Sequence, residues 1–329
     1  MPELSRRAGL AALASALLLP RRGRAAGRGE FRDWLAAFKA EARGRGISAA
    51  TLERAFQGVE PLAAVIEADR RQPERRMSFA EYRLKVVSEA RIRRGRALLG
   101  EHRALLERVR ARFAVPAPTL VALWGIESSF GDFKGTWRVI DALATLAWEG
   151  RRAELFRREL LAALEILERG ERRPAALLGS WAGAMGQSQF MPSTYLGYAV
   201  DFDGDGRRDI WTSLPDVFAS MSNYLARAGW AGGEHWGRPV AAPAGLDPTL
   251  LGLERRLSLA EWSRRGVRTA TGGPLPTARL DASLLRMDGE GGPTFLVYRN
   301  FRTLMVWNRS TYFALSVGLL ADELAKADA

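Results

Sequence analysis

The chain has 329 residues, 47% of them hydrophobic and 26% charged, with a formal charge of +12 carried mainly by arginine. That length and composition fit ample core in one large domain or two to three smaller ones. There is no cysteine and only two histidines, His102 and His235, which excludes disulfides, thiol catalysis, Cys-type zinc sites and a lipidated N-terminal cysteine, and argues against a His-rich metal site or a Ser-His-Asp triad.

Residues 1–26 read as an export signal. Arg6 and Arg7 precede an apolar run at 8–19, and Ala25 and Ala26 offer small residues for cleavage. The run is short for a bilayer span; a buried N-terminal helix is the alternative. Cleavage after Ala26 removes five arginines and one glutamate and leaves about +8. The other arginines are scattered among glutamates along helical stretches, and no nucleic-acid-binding motif accompanies them. The basic surface is therefore read as a solvated face, and nucleic acid is not an expected partner.

Residues 30–115 form a helical region. Phe31, Trp34, Leu35 and Phe38 recur at helical spacing. Ser48 caps a following helix, and Ser78 with Glu81 makes a capping-box pattern. Pro116 and Pro118 break the next amphipathic segment, and a short, nearly all-apolar core helix spans 119–127. Helices follow at 139–147 and 153–168. Residues 174–212 are irregular and glycine-rich, and such a long loop in a compact domain is usually functional. Ser213 starts a helix reaching about Ala228. Residues 232–293 read as a small, loop-rich subdomain with a few strands. Residues 294–298 and 303–306 alternate like strands, and 310–325 is a final helix. The fold class is mainly α with a smaller β part (α+β).

Two stretches carry chemistry. In Leu123-Trp124-Gly125-Ile126-Glu127-Ser128-Ser129-Phe130-Gly131 one carboxylate ends an apolar helix. Lost solvation favours its neutral form and raises its pKa, so Glu127 can donate a proton near neutral pH. A core arginine satisfying it is the structural alternative. Ser128 and Ser129 fit either bonding to the carboxyl or substrate, or closing the helix. The second stretch is Gly183-Ala184-Met185-Gly186-Gln187-Ser188-Gln189-Phe190-Met191-Pro192-Ser193-Thr194-Tyr195. Its glycines admit close backbone approach, and its amides and aromatic faces suit sugars.

A third stretch, 201–212, is EF-hand-like. Asp201, Asp203, Asp205 and Asp209 stand at positions 1, 3, 5 and 9, with Gly206 at 6 and the Arg207 carbonyl at 7. Position 12 is Thr212 rather than an acid. A structural calcium ion and an Asp-Gly turn held by side-chain-to-backbone bonds are both open readings.

Taken together, the first two stretches resemble the lytic murein transglycosylases of the B type, glycoside hydrolase family 103. The likeness runs over about residues 30–325. It implies a lysozyme-like catalytic core at 116–231 and a C-terminal segment at 294–325 returning to that core. By resemblance Glu127 is the catalytic acid, and no catalytic cofactor is needed. Met185, Gln187, Gln189, Phe190 and Tyr195 belong to the second signature, with Gln189 at a substrate-binding position. Arg151 and Arg152 resemble arginines that contact the peptide of the substrate. Trp307-Asn308-Arg309-Ser310 resembles the C-terminal motif, and Trp307 and Phe313 stand where tyrosines are expected along the cleft. Some members bind calcium at the loop of the third stretch.

The resemblance implies cleavage of the MurNAc–GlcNAc β-1,4 bond of peptidoglycan without water, giving 1,6-anhydro-MurNAc ends. The expected partners are glycan strands and stem peptides, with cell-wall synthesis or division proteins as candidate protein partners, and the expected place is the periplasm. The alternatives are a hydrolase with a second carboxylate such as Asp132, or a non-catalytic wall-binding protein. Asp141 is read as a helix-start residue.

Overall fold

The computed structural model describes residues 28–71 and 77–326; the expected export signal lies outside them. Six helices come first: α1 (Arg28–Gly44), α2 (Ala49–Ala55), α3 (Ala63–Arg70), α4 (Phe79–Val86), α5 (Glu89–Glu101) and α6 (Arg103–Phe113). In α1 the helical period puts Phe31, Leu35, Phe38 and Ala42 inward, and Trp34 stacks between Phe31 and Phe38 at 5.7 and 5.4 Å. Ser48 caps α2 by accepting from the Thr51 amide, and both bonds of the Ser78–Glu81 capping box are present at α4.

The central helices are α7 (Ala117–Ser128), α8 (Val139–Glu149) and α9 (Ala153–Glu168). Pro116 and Pro118 flank the start of α7, where a missing amide costs nothing. Helices α5, α6, α11 (Leu214–Arg227) and α14 (Thr311–Ala325) all pack on α7, which explains why its sequence is apolar all round. Strand β1 (Trp137–Arg138) pairs with β2 (Leu178–Gly179) just before the glycine-rich stretch. The irregular segment also holds α10 (Pro192–Tyr198), a helix not expected from its glycines.

A five-stranded antiparallel sheet follows, in the order β4 (Leu257–Ser258), β6 (Asp281–Arg286), β7 (Thr294–Val297), β3 (Gly237–Ala241) and β5 (Arg268–Thr269). Alternation along the strands serves two cores. Leu285, Phe295 and Val297 face the helices, whereas Ala282, Leu284 and Leu296 join Leu259 and Trp262 of α12 (Leu259–Arg264) in a second core. The β6–β7 turn reaches back to α4, where the Asp288 carboxylate accepts from the Phe79 and Ala80 amides at 2.6 and 3.0 Å.

One expectation changes. Residues 303–306 are not a strand but part of α13 (Arg299–Trp307), where Asn300, Phe301, Thr303 and Leu304 are buried at helical spacing. The Asn300 amide bonds the Ala231 backbone at both its N–H and C=O and anchors that helix.

Candidate active site

Glu127 occupies the last turn of α7. The chain then reverses sharply: Ser129, Phe130 and Gly131 take left-handed φ values of 50°, 59° and 84°. The Ser128 hydroxyl holds this reversal, donating to the Trp124 carbonyl at 3.2 Å and accepting from the Gly131 amide at 3.1 Å. Gly131 is required twice over, for its φ and because a Cβ there would stand 2.3 Å from Gln187 Oε1.

Burial pushes the Glu127 carboxyl up to about 7, and the hydrogen bond from Trp307 pulls it partly back. Trp307 Nε1–H donates to Glu127 Oε1 at 2.6 Å. As a residue Glu127 is partly buried. No carboxylate contributes to its shift among the described residues. Asp132 is exposed and bonded through both oxygens to Arg94, which holds its carboxyl below the ordinary range. Asp141 sits in the first turn of α8 at 3.5 Å from Arg138, and burial raises its carboxyl.

An aromatic wall backs the carboxylate. The Trp307 ring lies 4.8 Å from Tyr224 and 5.4 Å from Phe190, and Tyr224 lies 4.6 Å from Tyr198. The Tyr224 hydroxyl donates to the Val306 carbonyl at 3.0 Å, fixing α11 to α13 beside the site. From α4, Tyr82 comes close enough that ionised Glu127 adds to the upward shift of its phenol, behind burial as the main cause. Its ring meets Tyr312 at 5.7 Å. Tyr82, Tyr198, Tyr224 and Tyr312 were not singled out in the sequence, because a helix face cannot be assigned to a cleft before its packing partners are known.

The glycine-rich stretch folds into a tight hairpin beside β2. Met185 and Phe190 exchange backbone bonds at 2.8 and 3.1 Å. Gly186 has φ +63°, and a Cβ there would lie 2.6 Å from the Ile210 carbonyl. Gln187 is buried; its Oε1 accepts from Trp124 Nε1 at 2.9 Å and its Nε2 donates to the Trp211 carbonyl at 3.0 Å. It thus ties α7 to the 201–212 loop.

The residues expected to meet substrate divide into two groups. Trp307, Asn308, Gln189, Ser129, Arg151 and Arg152 keep exposed or partly exposed side chains. Gln189 takes φ 51° with Nε2 on the Gly186 carbonyl, and Asn308 caps the Ser310 amide. Arg151 bonds the Asp69 carbonyl at 2.7 Å, and both arginines face the buried Asp69 carboxylate at 3.5 and 3.9 Å. By contrast Ser128, Met185, Gln187, Phe190, Tyr195 and Phe313 are buried. Phe190 supports Trp307 from behind. The Tyr195 hydroxyl is enclosed between Glu171 and the Arg208 carbonyl at 2.8 and 2.9 Å, and Phe313 packs into the main core. These side chains shape the cleft from within rather than offer it a face.

Carboxylate oxygens of Asp201, Asp203 and Asp205 lie within 4.8 Å of one another, a spacing compatible with one oxygen-ligated cation. Asp216 of α11 lies near them: burial raises its carboxyl and the charges of Asp203 and Asp201 add to that. Its oxygens accept from the Phe202 and Asp209 amides, each at 2.7 Å. Asp209 does not face this group. Its carboxylate accepts from the Trp211 and Thr212 amides and pairs with Arg172 at 3.4 Å, so it holds the turn and is not one of the three grouped acids. Three neighbouring acids repel one another.

Fold and site together define a transglycosylase: residues 30–322 match the family described as Transglycosylase SLT domain, and the chain belongs to that family. It is similar to the membrane-bound lytic murein transglycosylase B of Escherichia coli (strain K12), with 35% identity over 254 residues, which cover 76% of this chain and 68% of that protein. It is also similar to SltB3 from Pseudomonas aeruginosa, solved in complex with NAG-NAM-pentapeptide, with 48% identity, a TM-score of 0.88 and coverage of 90% and 80% of the two chains. The Escherichia coli lytic transglycosylase Slt35, solved in complex with calcium, shares 30% identity with a TM-score of 0.75, covering 91% of this chain and 94% of that one.

Proposed function

We propose that this chain is a peptidoglycan lytic transglycosylase in which Glu127 serves alone as acid and base. The observation that carries the reading is a single carboxyl raised to about 7, in an apolar setting, with an N–H donor already on one oxygen. Because Oε1 accepts from Trp307, the transferable proton resides on Oε2. That proton passes to the glycosidic oxygen as the bond to C1 of the muramic sugar breaks, with the sugar's own N-acetyl oxygen supporting C1. The carboxylate left behind is stabilised by the Trp307 N–H. It then takes the proton of the C6 hydroxyl as that oxygen bonds C1, which restores the acid and closes the 1,6-anhydro ring. An internal nucleophile has a high effective concentration, so no second carboxylate is needed to activate water.

Arg151 and Arg152 present guanidinium groups for the peptide arm, and Trp307, Asn308, Gln189 and Ser129 present faces and amides for sugar. Calcium fits the group of Asp201, Asp203 and Asp205, where it would hold the loop whose residue Trp211 bonds Gln187. The reading places the enzyme in the periplasm after export, with cell-wall synthesis or division proteins as candidate partners. Digestion of purified peptidoglycan followed by mass spectrometry of the released muropeptides tests the reaction. Products one water lighter than hydrolysis products, without new reducing ends, are expected. Reducing muropeptides would mean a hydrolase, and no release from folded protein would mean a binding protein.

A further inference from the structure

A charged cavity lies where the C-terminal end of α9 meets the 201–212 loop, and no part of the acid site contributes to it. Its volume is about 660 Å³, and it is lined by Arg169, Arg172, Arg173, Arg207 and Arg208 with a single carboxylate, Glu171. The arginines come from two separate stretches, so their convergence is a product of the fold and not of one helix end.

Two of them are fixed. Arg208 pairs with Glu171 through Nε at 2.9 Å and through Nη2, and Arg172 stacks over the Trp211 ring at 4.2 Å while facing Asp209. The Nε of Arg172 is buried with no acceptor among the described residues, a donor left unsatisfied. Arg173 and Arg207 are exposed at the rim, and neither side chain bonds any group among the described residues. The lining therefore carries five planar, multiply donating groups against one carboxylate: Arg172 and Arg208 are held rigid at the back, Arg169 pairs with Glu165 beside it, and Arg173 and Arg207 are free at the mouth. Guanidinium forks match carboxylates bidentately, and the cavity is larger than a lone ion requires.

We infer that this pocket is an accessory site for carboxylates of wall peptides, holding a peptide arm apart from the one at Arg151 and Arg152. The inference rests on the proposed wall substrate, because every peptide arm ends in a carboxylate. It gives the enzyme a grip on the polymer that is independent of the cut.

The test is charge reversal at the rim, Arg173→Glu with Arg207→Glu, both exposed and outside the acid site. Binding to purified sacculi is measured by sedimentation in a Glu127→Gln background that leaves the wall intact. Affinity should fall about five-fold, as expected for two exposed pairs. It should not change on chitin oligosaccharides, which carry neither stem peptides nor lactyl carboxylates. With Glu127 present, cleavage of short soluble strands should stay within about two-fold. The site is overturned by unchanged sacculus binding, by an equal loss on chitin oligosaccharides, or by charge-dependent binding seen only with phosphatidylglycerol vesicles. Should wild-type protein release no anhydro products while the peptide-dependent loss persists, the catalytic reading falls and the site stands.

Discussion

Replacing Glu127 with glutamine should make the protein both inactive and more stable, and the pH dependence of the gain is diagnostic. Glutamine keeps the volume and the acceptor for Trp307 Nε1, but it cannot ionise. In the wild type, burial raises the carboxyl from 4.5 to about 7, so between those values the folded state binds a proton that the unfolded chain does not. Stability therefore falls as pH climbs from about 4.5 to about 7, and the whole deficit is present above that range. A rise of this size corresponds to at most about 3 kcal/mol, and the partial exposure of the residue makes that a ceiling. For a chain of this size the Tm difference is roughly 5 °C. Thermal unfolding of both proteins across pH 4–9 measures it. The two curves should meet near pH 4.5 and part by pH 8, with the glutamine variant higher. Parallel curves, or a wild type more stable at pH 8, would refute the buried neutral acid, as would retained cleavage by the variant.

The partner of that acid can be tested in the opposite direction. Trp307→Phe keeps a ring on Phe190 and Tyr224 but removes the donor that lowers the Glu127 pKa; the alkaline limb of the pH–rate profile should move to higher pH, and the maximal rate should fall roughly ten-fold. An unmoved limb would mean that the bond has no weight. Asp132→Asn breaks a pair at the surface with Arg94 and should leave turnover within about two-fold; a collapse of activity would revive a two-carboxylate hydrolase. Calcium at about a hundred times its Kd should stabilise chelator-treated protein by about 2.7 kcal/mol, and Asp201→Asn should abolish that gain in differential scanning calorimetry. No shift in the wild type up to millimolar calcium would discard the loop as a metal site.

What could be read in the sequence was local. Ser48, Ser78 with Glu81, and Pro116 mark helix starts through bonds that span three or four residues, and the apolar run before Glu127 announces a helix enclosed by others. The strand expected at 303–306 failed because four residues of mixed polarity fit either period, and the deciding contact, Asn300 on Ala231, reaches 69 residues back along the chain. The same limit explains the site. Glu127 stands out in the sequence as a candidate because a lone acid in an apolar helix is conspicuous, whereas Tyr82 and Tyr224 acquire meaning only when α4 and α11 are brought beside α7. It also explains Gln187 and Tyr195, whose polar side chains suggested sugar contacts. Their partners, Trp124 at one and Glu171 at the other, lie 63 and 24 residues away. Buried polar groups need such partners, so in this chain the glycine-rich signature is as much a device for joining α7, α9 and the acidic loop as a surface for substrate. A substitution at Gln187 should therefore register first as lost stability and only through that as lost activity.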